Sequence, residues 1–270
     1  MPDRRVVVTR PEADARPLAR DLALAGLVPI VMPLIEVAAV ADQERLIQAW
    51  RGAPHCLAVM FVSSNAVDHF FDRRPPDLAL FNARAIARTR AWATGPGTLK
   101  ALLRHGAELA WIDAPSLEAG RFDTDTLWDI VCSRVQPGDR VLIVRGADAA
   151  DGLEAPPARG VGRDWLAEQL TLAGAQVDFV VAYQRRAPHW DAQQLAQARL
   201  AASDGAVWLF SSAQAVVHLQ RLLPAQDWSG ARAVATHPRI AAAVRNAGFG
   251  VVCESRPVLS EMVASIESIG

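Results

Sequence analysis

Three short pieces of this chain occur twice, in the same order, and that ordered repeat constrains the fold more than any single motif. The first piece is a strand-like run, an arginine turn and a helical stretch ending in Leu-Ala-Gly. It reads VVVTRP…LARDLALAG near the start and VLIVRG…LAEQLTLAG past the middle. The second is an apolar run into two serines, MFVSSNAV and WLFSSAQAV. The third is ATGPGTLKALLRHG and ATHPRIAAAVRNAG. Such self-similarity is expected of a chain that builds one supersecondary unit twice. The repeats by themselves divide the two copies near Val135.

The pieces also have a type. Short β-branched runs at 5–8, 57–62, 91–93, 140–144, 177–181, 206–210 and 231–235 read as strands. Helical patterns such as 15–25, 96–105, 163–173 and 238–247 lie between them. Strictly alternating strands and helices predict parallel sheets with helices on both faces, an α/β fold. Gly26, Gly106, Gly174 and Gly248 stand where these helices should stop. A chain of 270 residues, 51% apolar and 21% charged, has room for two domains with a core each. Residues 149–161 expand one repeat and read as a surface loop, and 73–78 and 187–191 read as connections.

Several function classes lose support. A net charge of -1 gives no general attraction to nucleic acid or an anionic membrane. No apolar run approaches the roughly 18 residues of a membrane span, and MPDRRVVVTRP has no signal-peptide core. A cytoplasmic location is therefore expected. Cys56, Cys132 and Cys253 fit neither a disulfide framework nor a zinc site and read as small buried hydrophobes. The six histidines lack metal-ligand spacing, so no metal is expected. Neither GxxxxGK[ST], GxGxxG nor Gly-x-Ser-x-Gly occurs, which leaves no nucleotide cofactor cradle and no serine-hydrolase elbow. Arg84, Arg88 and Arg90 read as a solvated face, and the eight tryptophans as packing.

The repeated motifs fall where open parallel sheets bind ligands, beyond the C-terminal ends of strands. Ser63, Ser64 and Asn65 follow one strand, and Ser211 and Ser212 follow its copy. Thr94, Gly95 and Thr98 precede one helix, and Thr236 its copy. Arg10 and Arg145 follow the two first strands. Neutral donors with a few cations suit a ligand carrying several carboxylates. The same residues are also ordinary helix N-caps, and Gly95-Pro96-Gly97 is also an ordinary turn.

VVVTRP, FVSSNAV, ATGPGT, VLIVRG and VAYQRR, in this order across nearly the whole chain, resemble the signature segments of uroporphyrinogen-III synthases. The resemblance implies two similar flavodoxin-like domains with parallel sheets, joined by a two-stranded connector, with the active site in the cleft between them. One domain would hold 1–36 and 183–270 and the other 38–180, with connectors near 33–37 and 181–187. It implies a hydro-lyase that needs no cofactor. Such an enzyme dehydrates and cyclises hydroxymethylbilane, inverting the last pyrrole ring through a spiro intermediate, to give uroporphyrinogen III. Tyr183, the only tyrosine, stands in VAYQRR where the family has a tyrosine that helps the hydroxyl leave. A phenol can donate a proton or a hydrogen bond there; the residue also reads as an interfacial aromatic. The substrate's eight carboxylates would meet Arg10, Ser63, Ser64, Asn65, Gly95, Thr98, Arg145, Ser211, Ser212 and Thr236. A monomer in transient contact with the preceding pathway enzyme is expected.

The chain departs from the family at Thr236-His237-Pro238-Arg239, where Gly-Pro-Thr is usual, and at Val62, where threonine is common. Arg185 and Arg186 face either a cleft or solvent. Two other readings stay open: a non-enzymatic two-domain receptor for a polycarboxylate, and a nucleotide-sugar transferase, which the absent phosphate cradle disfavours.

Overall fold

In β1 (Arg5–Val8), Val6, Val7 and Val8 are all fully buried. A strand apolar on both faces needs a cover on both faces, and parallel sheets provide it through their crossover helices. The computed structural model describes residues 4–83, 85, 87–115, 124–148 and 163–269. After β1 come α1 (Glu12–Leu24), β2 (Val28–Val31) and β3 (Glu36–Ala39). Next are α2 (Glu44–Gly52), β4 (Ala58–Phe61), α3 (Ser64–Phe71), β5 (Arg90–Ala93) and α4 (Pro96–Arg104). Then come β6 (Ile112–Asp113), α5 (Thr124–Val131), β7 (Arg140–Asp148), α6 (Arg163–Leu172) and β8 (Gln176–Arg186). The chain closes with α7 (Ala192–Ala201), β9 (Val207–Phe210), α8 (Ala213–Leu222), β10 (Arg232–Ala235), α9 (Pro238–Asn246), β11 (Val251–Glu254) and α10 (Leu259–Ile269).

Contacts divide the chain into two compact units, Met1–Glu36 with Arg186–Gly270, and Val37–Arg185. The first holds a parallel sheet in the order β11-β10-β9-β1-β2. The second sheet runs β6-β5-β4-β7-β8, all parallel, with β3 beside β8. Laid side by side, β9, β10 and β11 correspond to β4, β5 and β6, and β1 and β2 to β7 and β8. Counted along the chain, the first sheet has the doubly wound order 2-1-3-4-5, and the second, β3 set aside, reads 3-2-1-4-5 because its last two strands take the places of β1 and β2. The repeat boundary and the unit boundary differ for a simple reason. The first sequence copy puts β1 and β2 in one sheet and β4, β5 and β6 in the other. The second copy does the converse.

Local chemistry accounts for the element ends. Gly26, Gly106, Gly174 and Gly248 follow their helices with φ between 84° and 94°, the left-handed stop that favours glycine. Alternate residues of the first sheet fill two cores. Val7, Trp208, Phe210 and Ala233 line one, and Val6, Val8, Val207 and Leu209 the other. In the second unit Trp50 stacks on Phe70 at 4.5 Å and donates its indole N–H to the Phe70 carbonyl. Trp50, Trp92 and Trp208 are fully buried, as packing residues should be.

Four strands escaped the sequence pattern: β2, β3, β6 and β11. All lie at sheet edges. An edge strand is covered less completely, as the half-buried and exposed residues of β2, β3 and β11 show. In β2 it even admits Pro29, which edge positions tolerate. Cys56 is buried, and burial raises its thiol pKa, but Cys132 and Cys253 are only half-buried. They lie on a short 3-10 turn and on edge strand β11, where cover is incomplete.

Arg90 is no solvated residue. Its Nε and a terminal nitrogen grip Asp113 at 2.5 and 2.9 Å, and Arg134 reaches the same carboxylate at 2.7 Å. Trp92 Nε1–H donates to it as well. Arg88 is exposed, and Arg84 lies outside the described residues. Burial pushes the Asp113 carboxyl up, but the hydrogen bonds and charges of Arg90 and Arg134 outweigh it and hold the group below its ordinary value. A carboxylate depressed on folding stabilises above its unfolded pKa of about 3.9 and loses that contribution as pH falls through the folded value. Asp113→Asn should cost about 2–3 kcal/mol at pH 7, since the buried acceptor loses its charge while its arginines keep part of their water. Urea unfolding of both proteins should show the gap closing below about pH 4.

Candidate active site

The two serine pairs sit where β4 and β9 end. Ser63 is the N-cap of α3, its Oγ accepting from the Ala66 N–H at 3.2 Å. Ser212 caps α8 in the same way, accepting from Gln214 N–H. The capping reading therefore holds for both. Ser63 does more, because its Oγ also lies 3.1 Å from the Tyr183 hydroxyl. A serine oxygen that accepts from a backbone N–H still has its own proton to give. If Ser63 donates to the phenol oxygen, the Tyr183 proton is left free for a ligand.

Tyr183 reaches Ser63 through an irregularity in β8. The register pairs Arg145 with Val181 and then Gly146 with Tyr183, which leaves Ala182 as an extra residue. Such a bulge re-aims the side chains that follow it. Without it, Tyr183 would share a face with Phe179 and Val181, which alternate along the strand. With it, the ring lies over Gly146 on the side of α3, where it stacks against His69 at 5.7 Å between centroids. A Cβ at Gly146 would overlap the hydroxyl end of that ring. The tyrosine is 4% exposed.

Arg145 does not join this group. It precedes Gly146 and so points to the other face of β7. Its guanidinium lies over the Phe179 ring, 4.8 Å from the centroid, and Phe179 shares a surface hollow with Ala167, Thr171 and Leu172 of α6. The corresponding Arg10 behaves otherwise: its Nε–H donates to Ser211 Oγ at 3.0 Å. Burial lowers the Arg10 pKa, Asp14 opposes the shift, and a guanidinium keeps its charge regardless.

The remaining candidates divide by burial. Ser64 and Asn65 occupy the first turn of α3 and are half-buried. Gly95 is the N-cap of α4 with extended backbone (φ -170°), so the fold does not demand glycine there. Thr98 is buried in the first turn of that helix, and Thr236 is 9% exposed, so neither presents a fully open hydroxyl. His237 caps α9, its Nδ1 accepting the Arg239 N–H at 3.1 Å. That internal cap occupies an amide that the α4 turn leaves without a side-chain cap. Arg185 pairs with Asp148 and Arg186 with Glu36. The 149–161 expansion falls outside the described residues but for its neighbours.

Two parts of the site were missed in the sequence. Gly146 gave a usable signal, since it stands where the first copy has Pro11. His69 gave a weaker one, as a polar residue on a helix whose neighbours Phe70 and Phe71 pack inward.

Comparison with known proteins agrees with this architecture. Residues 16–264 match the family model of "Uroporphyrinogen-III synthase HemD". A "Porphyrin biosynthesis protein HemD" of Ruminiclostridium josui is 29% identical over 149 residues, 55% of this chain and 28% of that protein. A "Uroporphyrinogen-III synthase" of Chlorobaculum parvum is 32% identical over 106 residues, 38% of this chain and 40% of that protein. The match thus spans less than half the length of either curated relative. Among solved structures, uroporphyrinogen-III synthetase of Helicobacter pylori covers 99% of this chain and 100% of its own, with a TM-score of 0.55 at 14% identity. A mutant uroporphyrinogen III synthase of Thermus thermophilus covers 98% of both, with a TM-score of 0.51 at 16% identity. At such identities the structures speak for the fold.

The close approach at Gly146 makes a structural prediction. Gly146→Ala should lower stability by about 1–3 kcal/mol through overpacking and displace the phenol from Ser63. Urea unfolding and the single tyrosine signal of a ring-labelled sample would register the two effects.

Proposed function

The chain belongs to the uroporphyrinogen-III synthase family, and we propose that it dehydrates and cyclises hydroxymethylbilane, with inversion of the last pyrrole ring, to uroporphyrinogen III. The observation that carries the chemical part of this reading is the 3.1 Å contact between Ser63 and the Tyr183 hydroxyl. With Ser63 donating to the phenol oxygen, the phenol proton is available to the substrate's hydroxymethyl oxygen. As that C–O bond breaks, the hydroxyl takes the proton and leaves as water. Closing the ring returns a proton from the attacking pyrrole carbon, so proton count balances. General acid help of this kind contributes roughly 10²–10⁴ at most. The larger task is to hold a flexible chain folded, which is catalysis by positioning.

The substrate's carboxylates call for donors. Arg10 with Ser211 offers a partly buried cation and a hydroxyl on one unit. Ser64, Asn65 and the α4 amides near Gly95 offer neutral donors on the other. Ser212 supplies a further hydroxyl, whereas those of Thr98 and Thr236 are buried. Arg145 belongs to this set only as a more distant charge, since it lies in a hollow lined by Arg45, Gln48 and Ala49 of α2. Among the described residues no helix is long and apolar enough to cross a membrane. The reading places the reaction in the cytoplasm, in a monomer that takes its substrate by transient contact with the enzyme that makes it.

The direct test supplies freshly made hydroxymethylbilane and separates the oxidised porphyrin isomers. Type III product supports the reading, and type I alone ends it. Binding without turnover would favour a receptor. Tyr183→Phe should cut kcat about tenfold or more while keeping type III product, and wild-type kinetics would remove the phenol from the mechanism. Arg10→Ala should raise KM about ten- to hundredfold, the effect of one lost charge-assisted contact of roughly 1.5–3 kcal/mol, with kcat little changed.

A further inference from the structure

The helices that follow the two serine pairs carry a histidine at the same place. Counted from the N-caps Ser63 and Ser212, the sixth residue is His69 in α3 and His218 in α8. The residues between them keep one burial pattern, with Ala66 and Val67 matched by Ala215 and Val216. Each histidine reaches the same part of its own unit, the end of the strand that neighbours β7 or β1. His218 is 4% exposed and its Nδ1 lies 2.6 Å from the Leu34 carbonyl, three residues past β2. His69 is half-buried and lies flat against the Tyr183 ring of β8, with 22° between the planes. One copy thus holds the strand end by its backbone, and the other by an aromatic face.

This difference matters for the phenol. Tyr183 has Gly146 against the hydroxyl end of its ring and Ser63 at its oxygen. Neither contact fixes the tilt of the ring, because glycine offers no side chain and one hydrogen bond allows swing about the oxygen. An offset stack does fix tilt, through ring-to-ring electrostatics and dispersion. The His69 ring is suited to this as a neutral imidazole. Burial lowers its pKa, Asp72 and Asp68 work against the shift, and Arg73 adds to it.

The geometry points to His69 as a positioning residue that sets the tilt of the Tyr183 ring, so that the phenol proton faces the substrate while Ser63 holds the oxygen. The proposal rests on the synthase reading above for its kinetic effect, but not for its structural one. The residue touches no substrate; it acts through Tyr183.

The test uses the single tyrosine as its own reporter. Protein carrying 3-fluorotyrosine should give one narrow fluorine resonance. His69→Ala should move it and broaden it or split it. His69→Leu, which keeps bulk without a flat face, should do the same, and His69→Phe should restore a single narrow line. In turnover, His69→Ala and His69→Leu should lower kcat five- to tenfold with KM within twofold, and His69→Phe should recover most of the rate. In a Tyr183→Phe background His69→Leu should cost nothing more, because the two residues act as one unit. An unchanged fluorine line in His69→Leu overturns the proposal. So does an equal loss of kcat with and without the Tyr183 hydroxyl. Failure of the synthase reading looks different: the fluorine lines respond as described while no variant, nor the parent, makes type III product.

Discussion

The pairing of β1 with β9 is the contact on which the first unit depends. It sets Val6, Val7 and Val8 beside Val207, Trp208 and Leu209, strands from opposite ends of the chain. Without it the N-terminal segment would have no partner but β2, and two strands do not make a stable sheet. The cost of the long excursion between them is small. Each doubling of loop length adds only about 0.6 kcal/mol of closure entropy, whereas burying one large apolar side chain contributes roughly 1.5–3 kcal/mol. Six such residues at this junction outweigh the excursion several times over. A whole second unit can therefore be placed between β2 and β9.

The exchange of strands between copies has a chemical sequel. The copies keep the same sheet order but not the same ends. Ile35 stands as far beyond Val28 as Tyr183 stands beyond Gln176, and Val28 and Gln176 hold equivalent register positions against Arg5 and Arg140. One copy thus carries a buried aliphatic where the other carries the phenol. The serine pairs as a whole diverge too. Ser63 meets a neutral donor and acceptor, and Ser211 meets a cation. The same scaffold thus carries different groups at its strand ends, a phenol beside a serine in one unit and a guanidinium beside a serine in the other.

Much of the fold was legible because its signals are local. A run of three valines, a Leu-Ala-Gly helix end and a serine after a strand each act within a few residues. The left-handed glycines and the serine caps came out where the pattern placed them. The edge strands did not, because Pro29 and the two-residue β6 lack a buried run to read. At the site, burial was the hidden variable. Thr98 and Thr236 carry suitable hydroxyls, yet helix packing encloses them. Arg90 looked like part of a charged surface, yet Asp113 draws it in from the neighbouring strand. Arg145 and Arg10 match in sequence and differ in surroundings, since one lies on Phe179 and the other on a serine.

By itself the sequence determined that one α/β unit would be built twice, with parallel strands and with polar residues gathered at the strand ends. Periodicity, capping and turn chemistry depend on near neighbours, so they survive without knowledge of the partner strands. Only the tertiary structure decided which copy lends its strands to which sheet, and on which face Tyr183 lies. Strand pairing joins residues far apart in the chain. The extra residue Ala182 exists only relative to the register of β7. A shift of one position there turns a side chain through the sheet, and no local pattern carries that information.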